Sequence, residues 1–239
     1  VIAPKIIIDI SLTSNTLGFM TSVYFLCFAL FQLPLGFLLD RYGSKRVQCC
    51  LFIIASIGIL IFSTSHSVWQ LILGRAIIGI GLAGGLMAGF KAIRAHYSKE
   101  SIPLMNSIMM ATGTLGALFS TVPTEYIVNL ISWRHYLMII SLLTLVIAFA
   151  ILFLSKENIH STVEPVKFKA QLLSLKEIYQ SRYFWKIASL AATCFAMNTS
   201  MVGLWAGVWF TKVSGFTALQ SAHHLLVISI ALILGIFLN

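Results

Sequence analysis

The chain strings together apolar runs that are too long and too uniform for a water-soluble core. Leu17 to Leu39 and Val47 to Phe62 are the first two, each close to the ~20 residues with which a helix crosses ~30 Å of hydrocarbon. Five more follow at Val68 to Ile93, Ile102 to Pro123, Tyr136 to Leu154, Tyr183 to Phe210 and Thr217 to Leu238. Val1 to Ile10 reads as the outer end of a first spanning helix followed by a short extracytoplasmic loop. Backbone groups inside a bilayer must be satisfied within their own segment, so runs of this length imply helices. With 59% hydrophobic and only 10% charged residues, a soluble globular domain is excluded. The expected fold is an all-α integral membrane protein.

A formal net charge of +9 would fit a nucleic-acid partner, but its placement argues otherwise. On these spans, twelve of the sixteen Lys and Arg share one side: Arg41, Lys45, Arg46, Lys91, Arg94, Lys99, Lys156, Lys167, Lys169, Lys176, Arg182 and Lys186. Lys5, Arg134 and Lys212 fall on the other, and Arg75 lies within a span. Such asymmetry marks the first side as cytoplasmic. The basic balance is therefore topology; the lipid bilayer is a partner and nucleic acid is not. Cys27, Cys49, Cys50 and Cys194 lie in or at the edge of apolar helices, with spacings that suggest neither a zinc site nor a disulfide framework. No metal cluster, cofactor motif, nucleophile–base set or phosphate-cradling loop is apparent, so no enzyme is expected.

Between the first two runs stands Gly36-Phe37-Leu38-Leu39-Asp40-Arg41-Tyr42-Gly43-Ser44-Lys45-Arg46. Gly36 lacks a side chain where the helix leaves the bilayer, which lets another backbone approach. Asp40 and Arg41 follow, Gly43 permits a sharp turn, and Lys45 and Arg46 open the next helix. This Gly-x-x-x-Asp-Arg-x-Gly-x-basic-basic pattern resembles the loop between helices two and three of the major facilitator superfamily (MFS), with Ser44 where that family usually has a basic residue. The resemblance implies that Gly36 is a packing glycine, Asp40 the acid of a cytoplasmic gate, and Arg41, Lys45 and Arg46 its basic partners. It implies the family fold of two pseudo-symmetric six-helix bundles, here nearly complete in the first and truncated in the second. Residues 1–154 then form the N-terminal bundle with helix one mostly missing, 155–182 a cytoplasmic linker, and 183–239 the start of the C-terminal bundle.

Function follows from the same resemblance. It implies a secondary active transporter of a small polar or anionic organic solute, working by alternating access with proton coupling in the bacterial cytoplasmic (inner) membrane. The fifth span, Ile102 to Pro123, lacks the Gly-Pro-x-x-Gly-Gly ending of antiporter branches. Its Gly113-Thr114-Leu115-Gly116-Ala117-Leu118, with Pro123 and then Trp133-Arg134, looks like branches dominated by solute uptake. A transporter-like sensor or receptor, and a truncated non-transporting remnant, are the alternatives. The absent part of a cavity would come from the missing remainder of the same chain or from a partner chain.

Three groups of residues inside the runs invite roles. Arg75 sits within the fourth span, where a cation costs at least about 2.5 kcal/mol; it must meet a wet interior or a carboxylate, or snorkel to the interface. Its setting Arg75-x-x-x-Gly79-x-Gly81 resembles the family's fourth helix, which implies proton coupling. Gly81, Gly85 and Gly89 recur every four residues and form a small-residue stripe for tight helix packing. Asn198 and Trp205 are seven residues apart, about two α-helical turns, so they share a face. The family's helices one, four, seven and ten line the central cavity, which makes these two substrate-binding candidates; helix–helix hydrogen bonding and interfacial anchoring are the competing readings. Glu125 past the fifth span and His223-His224 at the start of the last read as interfacial. In the linker, Phe168, Leu172, Leu175 and Ile178 or Tyr179 recur at helical spacing among lysines, an amphipathic surface helix. Finally, Leu17–Asp40 overlies Phe216–Asn239 at a shift of 199, pairing Gly36 with Gly235, as a two-half architecture requires.

Overall fold

The structure is a computed structural model describing residues 2–155 and 178–237. Every regular element among them is helical: α1 (Ala3–Ile10), α2 (Ser14–Ser63), α3 (Val68–Leu82), α4 (Gly85–His96), α5 (Ile102–Phe119), α6 (Val122–Leu130), α7 (Trp133–Leu154), α8 (Arg182–Asn198), a π-helical segment Thr199–Trp205, α9 (Ala206–Lys212) and α10 (Ala218–Phe237). The amphipathic linker pattern at Phe168, Leu172 and Leu175 lies outside the described residues, as do Leu238 and Asn239. Among the described residues, four helical stretches have the length and composition to cross a membrane: Asn15–Ser63, Val68–His96, Ile102–Phe119 and Trp133–Leu154. The described residues form two compact units, one of Ile2–Thr112 with residues 126–155, the other of Gly113–Glu125 with residues 178–237.

In the larger unit α2 is a hairpin. Gly43 has φ 80° and ψ 161°, a conformation closed to residues with a Cβ, and it separates an arm over 14–42 from one over 44–63. Leu35 and Leu51, sixteen residues apart, would stand about 24 Å apart along an unbroken helix. Instead, a Cβ built on Gly84 would lie 2.5 Å from Leu51 Cδ1 and 3.6 Å from Leu35 Cδ1, so the arms run back to back. Leu35, Leu39, Val47, Leu51 and Ala88 form one apolar cluster beside the turn, and Met20, Ile59, Phe62, Leu71, Ile78 and Trp133 belong to another toward the opposite end.

Glycines set how closely α3 enters the hairpin. A Cβ on Gly79 would stand 2.4 Å from the Tyr24 carbonyl of the first arm, and one on Gly81 2.4 Å from the Ala55 amide nitrogen of the second. The α3 backbone thus touches both arms. Ala83 and Gly84 keep right-handed helical angles, so α3 runs on into α4, and Gln32 Nε2 donates to the Ala83 carbonyl at 3.0 Å where the helical bonding loosens. Helix α7 docks on the second arm through two buried serines: Ser56 Oγ donates to the Ser141 carbonyl (2.9 Å) and Ser141 Oγ to the Ser56 carbonyl (2.8 Å). Such side-chain bonds join helices where lipid supplies no hydrophobic driving force.

Helix α5 stops at Phe119 rather than running to Pro123. The Ser120 and Thr121 hydroxyls turn back onto the carbonyls of Ala117 and Leu118, and Pro123 then sits in the first turn of α6, where its missing N–H is harmless. In the smaller unit, Ser181 caps α8. Thr217 and Gln220 bond reciprocally at the start of α10, Thr217 N to Gln220 Oε1 (2.9 Å) and Gln220 N to Thr217 Oγ1 (3.2 Å), a capping box. The Phe216 ring stacks on His224 with centroids 4.7 Å apart, and Phe210 lies 5.3 Å from the same imidazole.

Candidate functional site

Arg75 apart, the larger unit gathers its charged residues toward its two ends. At the hairpin turn, Leu35 and Leu39 bury the last turns of the first arm, which leaves Asp40 pointing out with 56% of its side chain exposed. Its carboxylate accepts from Lys91 Nζ at 2.7 Å, and the same ammonium donates to the Leu39 carbonyl at 2.6 Å. The family resemblance assigns Asp40 to Arg41, Lys45 and Arg46; an ion pair seen here runs to a further base, Lys91, on α4. Arg41 lies over the rings of Phe37 (5.9 Å) and Tyr42 (5.5 Å). A cavity of ≈ 690 Å³ opens beside this turn, bounded by the hairpin residues Asp40–Arg46, by α4 and by the end of α7 at Ile151 and Ser155.

Close approach is distributed differently from the expectation. No described atom lies within 4 Å of where a Cβ on Gly36 would be, and the same holds for Gly85; among the described residues neither glycine meets a neighbour. A Cβ on Gly89 would meet Met109 Sδ at 2.4 Å, the flexible end of a side chain that can move. Only Gly81 of that stripe is pressed against backbone.

Arg75 lies about two turns into α3. Its guanidinium carbon stands 4.9 Å from the centroid of the Phe62 ring, a cation–π contact. Its Nε is buried and has no hydrogen-bond partner among the described residues. No carboxylate pairs with it there.

At the end opposite the hairpin turn a second charged group appears that the sequence reading did not single out. Asp9, in the last turn of α1 and outside the four spanning-length helices, accepts from Arg134 Nη1 and from Trp133 Nε1, the latter at 3.1 Å. Arg134 Nη2 reaches the Ser65 carbonyl at 2.8 Å, and its guanidinium caps the Trp133 ring at 4.3 Å. Trp133 is only 5% exposed and meets Phe62 edge-on at 6.3 Å. The hydrogen-bonded Arg134 guanidinium, ahead of the Trp133 indole, holds the Asp9 carboxyl below its ordinary value of 3.8 against a partial opposing desolvation. Lys5 Nζ adds a bond to Asn129 Oδ1 at 2.6 Å. One signal was legible beforehand, the Trp133-Arg134 dipeptide at the mouth of an apolar run; its partner Asp9, more than a hundred residues away, was not.

In the smaller unit Asn198 ends α8 and Trp205 ends the π-helical segment; both are exposed, Trp205 by 57%. The shared face expected for them supposes α-helical rotation. Across a π segment, with its i→i+5 bonding, each residue turns through a smaller angle, so the seven-residue spacing does not return Trp205 to the face of Asn198.

Four similarities bear on what this arrangement belongs to. The family model described as Major Facilitator Superfamily matches residues 1–239. A nitrite extrusion protein of Bacillus subtilis is 26% identical over 182 residues, covering 76% of this chain and 44% of that protein. An uncharacterized transporter of the same organism, YybO, is 24% identical, covering 92% of this chain and 54% of its own length. A probable nitrate transporter of Staphylococcus haemolyticus, NarT, is 24% identical, with 75% and 46% covered. The chain spans about half the length of the curated relatives it matches.

Proposed function

Because the chain belongs to the major facilitator superfamily, and is a multi-pass inner-membrane protein of that all-α fold, we propose that it serves secondary active transport of a small anion by alternating access. The observation that carries the reading is Arg75. A guanidinium inside a helix of spanning length, with a buried Nε lacking a partner and only an aromatic face beneath it, is tolerated when a wet pathway or an anionic ligand completes it. Relatives named for nitrite extrusion and nitrate transport make a small oxyanion the solute class to test first, ahead of a larger organic acid. Planar bidentate recognition of an oxyanion is what a guanidinium does best.

In this reading the hairpin turn faces the cytoplasm, as the excess of Lys and Arg there requires. The Asp40–Lys91 contact belongs to a latch that changes as that side opens, and Arg75 serves the solute or the coupling proton. Asn198 and Trp205 are assigned to the solute path from the second bundle. The test is uptake of nitrate and nitrite by the full-length protein in liposomes, with and without an uncoupler. Arg75→Gln is expected to lower transport at least about tenfold, the loss of one charge-assisted contact, while the protein still inserts. Unchanged uptake by that variant would remove Arg75 from the solute path.

A further inference from the structure

Arg75 has an aromatic neighbour on each arm of the hairpin, and the glycines flanking it bring both up close. Gly74 precedes it, and a Cβ there would stand 2.9 Å from Phe62 Cβ on the second arm. Gly79 follows about one turn later, and a Cβ there would run into the Tyr24 carbonyl on the first arm. The Phe62 ring takes the flat face of the guanidinium at 4.9 Å, which leaves the in-plane N–H groups free to donate. Nε, on one of those edges, is buried and has no partner among the described residues.

Helix α3 and its continuation α4 run in the same direction as the first arm: Gly79 meets Tyr24, Ala83 meets Gln32, and Lys91 meets Leu39. Side chains lean toward the N-terminus of their own helix, so Tyr24 and Arg75 both lean away from the hairpin turn. Tyr24 stands level with Gly79, one turn behind Arg75, and this lean carries its phenol toward the guanidinium. The two are electrostatic neighbours. The Tyr24 ring meets Phe25 edge-on at 5.0 Å, lies 6.3 Å from Phe28, and packs on the cluster that holds Met20, Phe62 and Ile78. Its hydroxyl makes no hydrogen bond among the described residues, a cost in apolar surroundings unless a ligand accepts from it.

A guanidinium edge offers an oxyanion two parallel N–H donors, here Nε and one Nη of Arg75. Nitrate has a third oxygen that such an edge leaves unbonded; nitrite has none. We propose that the Tyr24 hydroxyl donates to that third oxygen, which makes Tyr24 the residue that favours nitrate over nitrite at the Arg75 site. The inference rests on the reading of Arg75 as an anion ligand given above. One cation between aromatic rings also suits a singly charged, planar anion, because a second negative charge would enter a span without a partner.

The test is uptake of nitrate and of nitrite by the full-length protein in liposomes, with KM and Vmax measured for the native chain, Tyr24→Phe and Arg75→Gln. Tyr24→Phe keeps the ring and its packing and should melt with the native protein. Its KM for nitrate is expected to rise about tenfold, the loss of one hydrogen bond to a charged group, with Vmax near native and KM for nitrite within about twofold. Melting temperatures of the detergent-solubilised protein with each anion read binding without transport: nitrate should raise the native value more than nitrite does, and Tyr24→Phe should respond to both alike. A loss of nitrate selectivity of this kind is one that a purely structural tyrosine would not produce. Equal losses for the two anions in Tyr24→Phe, or no loss, overturn the role of Tyr24 while Arg75→Gln still impairs both. Native-like uptake by Arg75→Gln, or a native protein that takes up neither anion, overturns instead the reading on which the inference rests.

Discussion

The two ends of the larger unit use the same chemistry, a carboxylate facing a cation, to opposite effect. At the Asp9 end the pair is itself partly open, Asp9 by 42% and Arg134 by 23%, but it is tied to a buried ring. Arg134 bonds Asp9 and the Ser65 carbonyl together while its flat face covers Trp133, and Trp133 is packed on Phe62 in the apolar core. At the Asp40 end the pair stands in the open, 56% and 35% exposed, beside a cavity. Exposed pairs contribute about 0–1 kcal/mol, whereas a buried aromatic carries several. One end is therefore a structural clamp on α1, the hairpin and α7, and the other is a contact that can open at little cost. The difference suits the alternating access proposed above, in which packed helices move as bodies and one side at a time lets go.

The largest effect is expected from the clamp's apolar base. Trp133→Ala removes a side chain that is 5% exposed and should cost about 3–5 kcal/mol, read as an early loss of structure in a thermal melt of the detergent-solubilised protein. A cost as small as that of cutting the Asp40 contact would erase the distinction between the ends. Between the ends, Gly81→Val tests whether α3 couples them: its Cβ would stand 2.4 Å from the Ala55 amide nitrogen, and backbone cannot swing aside. Overpacking of this kind costs about 1–3 kcal/mol, while Gly85→Val, with nothing within 4 Å, should leave the melt nearly unmoved.

A third, smaller effect sharpens the contrast through pH. The Asp9 carboxyl titrates below its ordinary 3.8, first because Arg134 bonds it. A lowered folded-state value means that its stabilisation is complete above the unfolded value and is lost as pH falls through the folded one. Melting temperature should therefore fall with acidification below about pH 4 more steeply in the native protein than in Asp9→Asn, with the two curves converging at the acid end. Parallel curves would show that the Asp9 charge contributes nothing to the clamp.

The helices of this molecule were legible because burial in lipid imposes one demand on every residue of a span, and apolar runs such as Tyr136 to Leu154 record it directly; α7 occupies Trp133–Leu154. Their ends were less so. The stop of α5 at Phe119 depends on two hydroxyls, Ser120 and Thr121, turning onto their own helix, a choice invisible to hydropathy. Asp40 drew attention through its motif and Arg75 as a charge within a span, but Lys91 and Phe62 did not, since Lys91 lies on another helix and the Phe62 ring meets Arg75 only once α3 folds back on the second arm. The stripe of Gly81, Gly85 and Gly89 shows the limit most plainly. Equal spacing on a helix says nothing of which member meets backbone, which a movable thioether and which open space. The π geometry at Thr199–Trp205 likewise has no periodic signature, so the face shared by Asn198 and Trp205 could be assumed only for an α-helix.

The smallest expected effect on stability is also the most discriminating between the two ends. Lys91→Gln deletes the charge that holds Asp40 and should cost less than about 1 kcal/mol. Because that pair is open to water, mobile ions should compete with it: the Debye length falls from ~10 Å at 0.1 M to ~3 Å at 1 M salt. Raising salt over that range should bring the melting curves of the native protein and Lys91→Gln together. Arg134→Gln, matched in charge, should keep most of its deficit, since the lost guanidinium also covered Trp133 and bonded the Ser65 carbonyl, contacts that salt does not screen. If both deficits vanish with salt, the Asp9 end is an ordinary surface ion pair and the clamp resides in Trp133 alone. If neither does, Lys91 is anchored by its bond to the Leu39 carbonyl more than by Asp40, and the opening of that end must break a backbone contact as well as a charge pair.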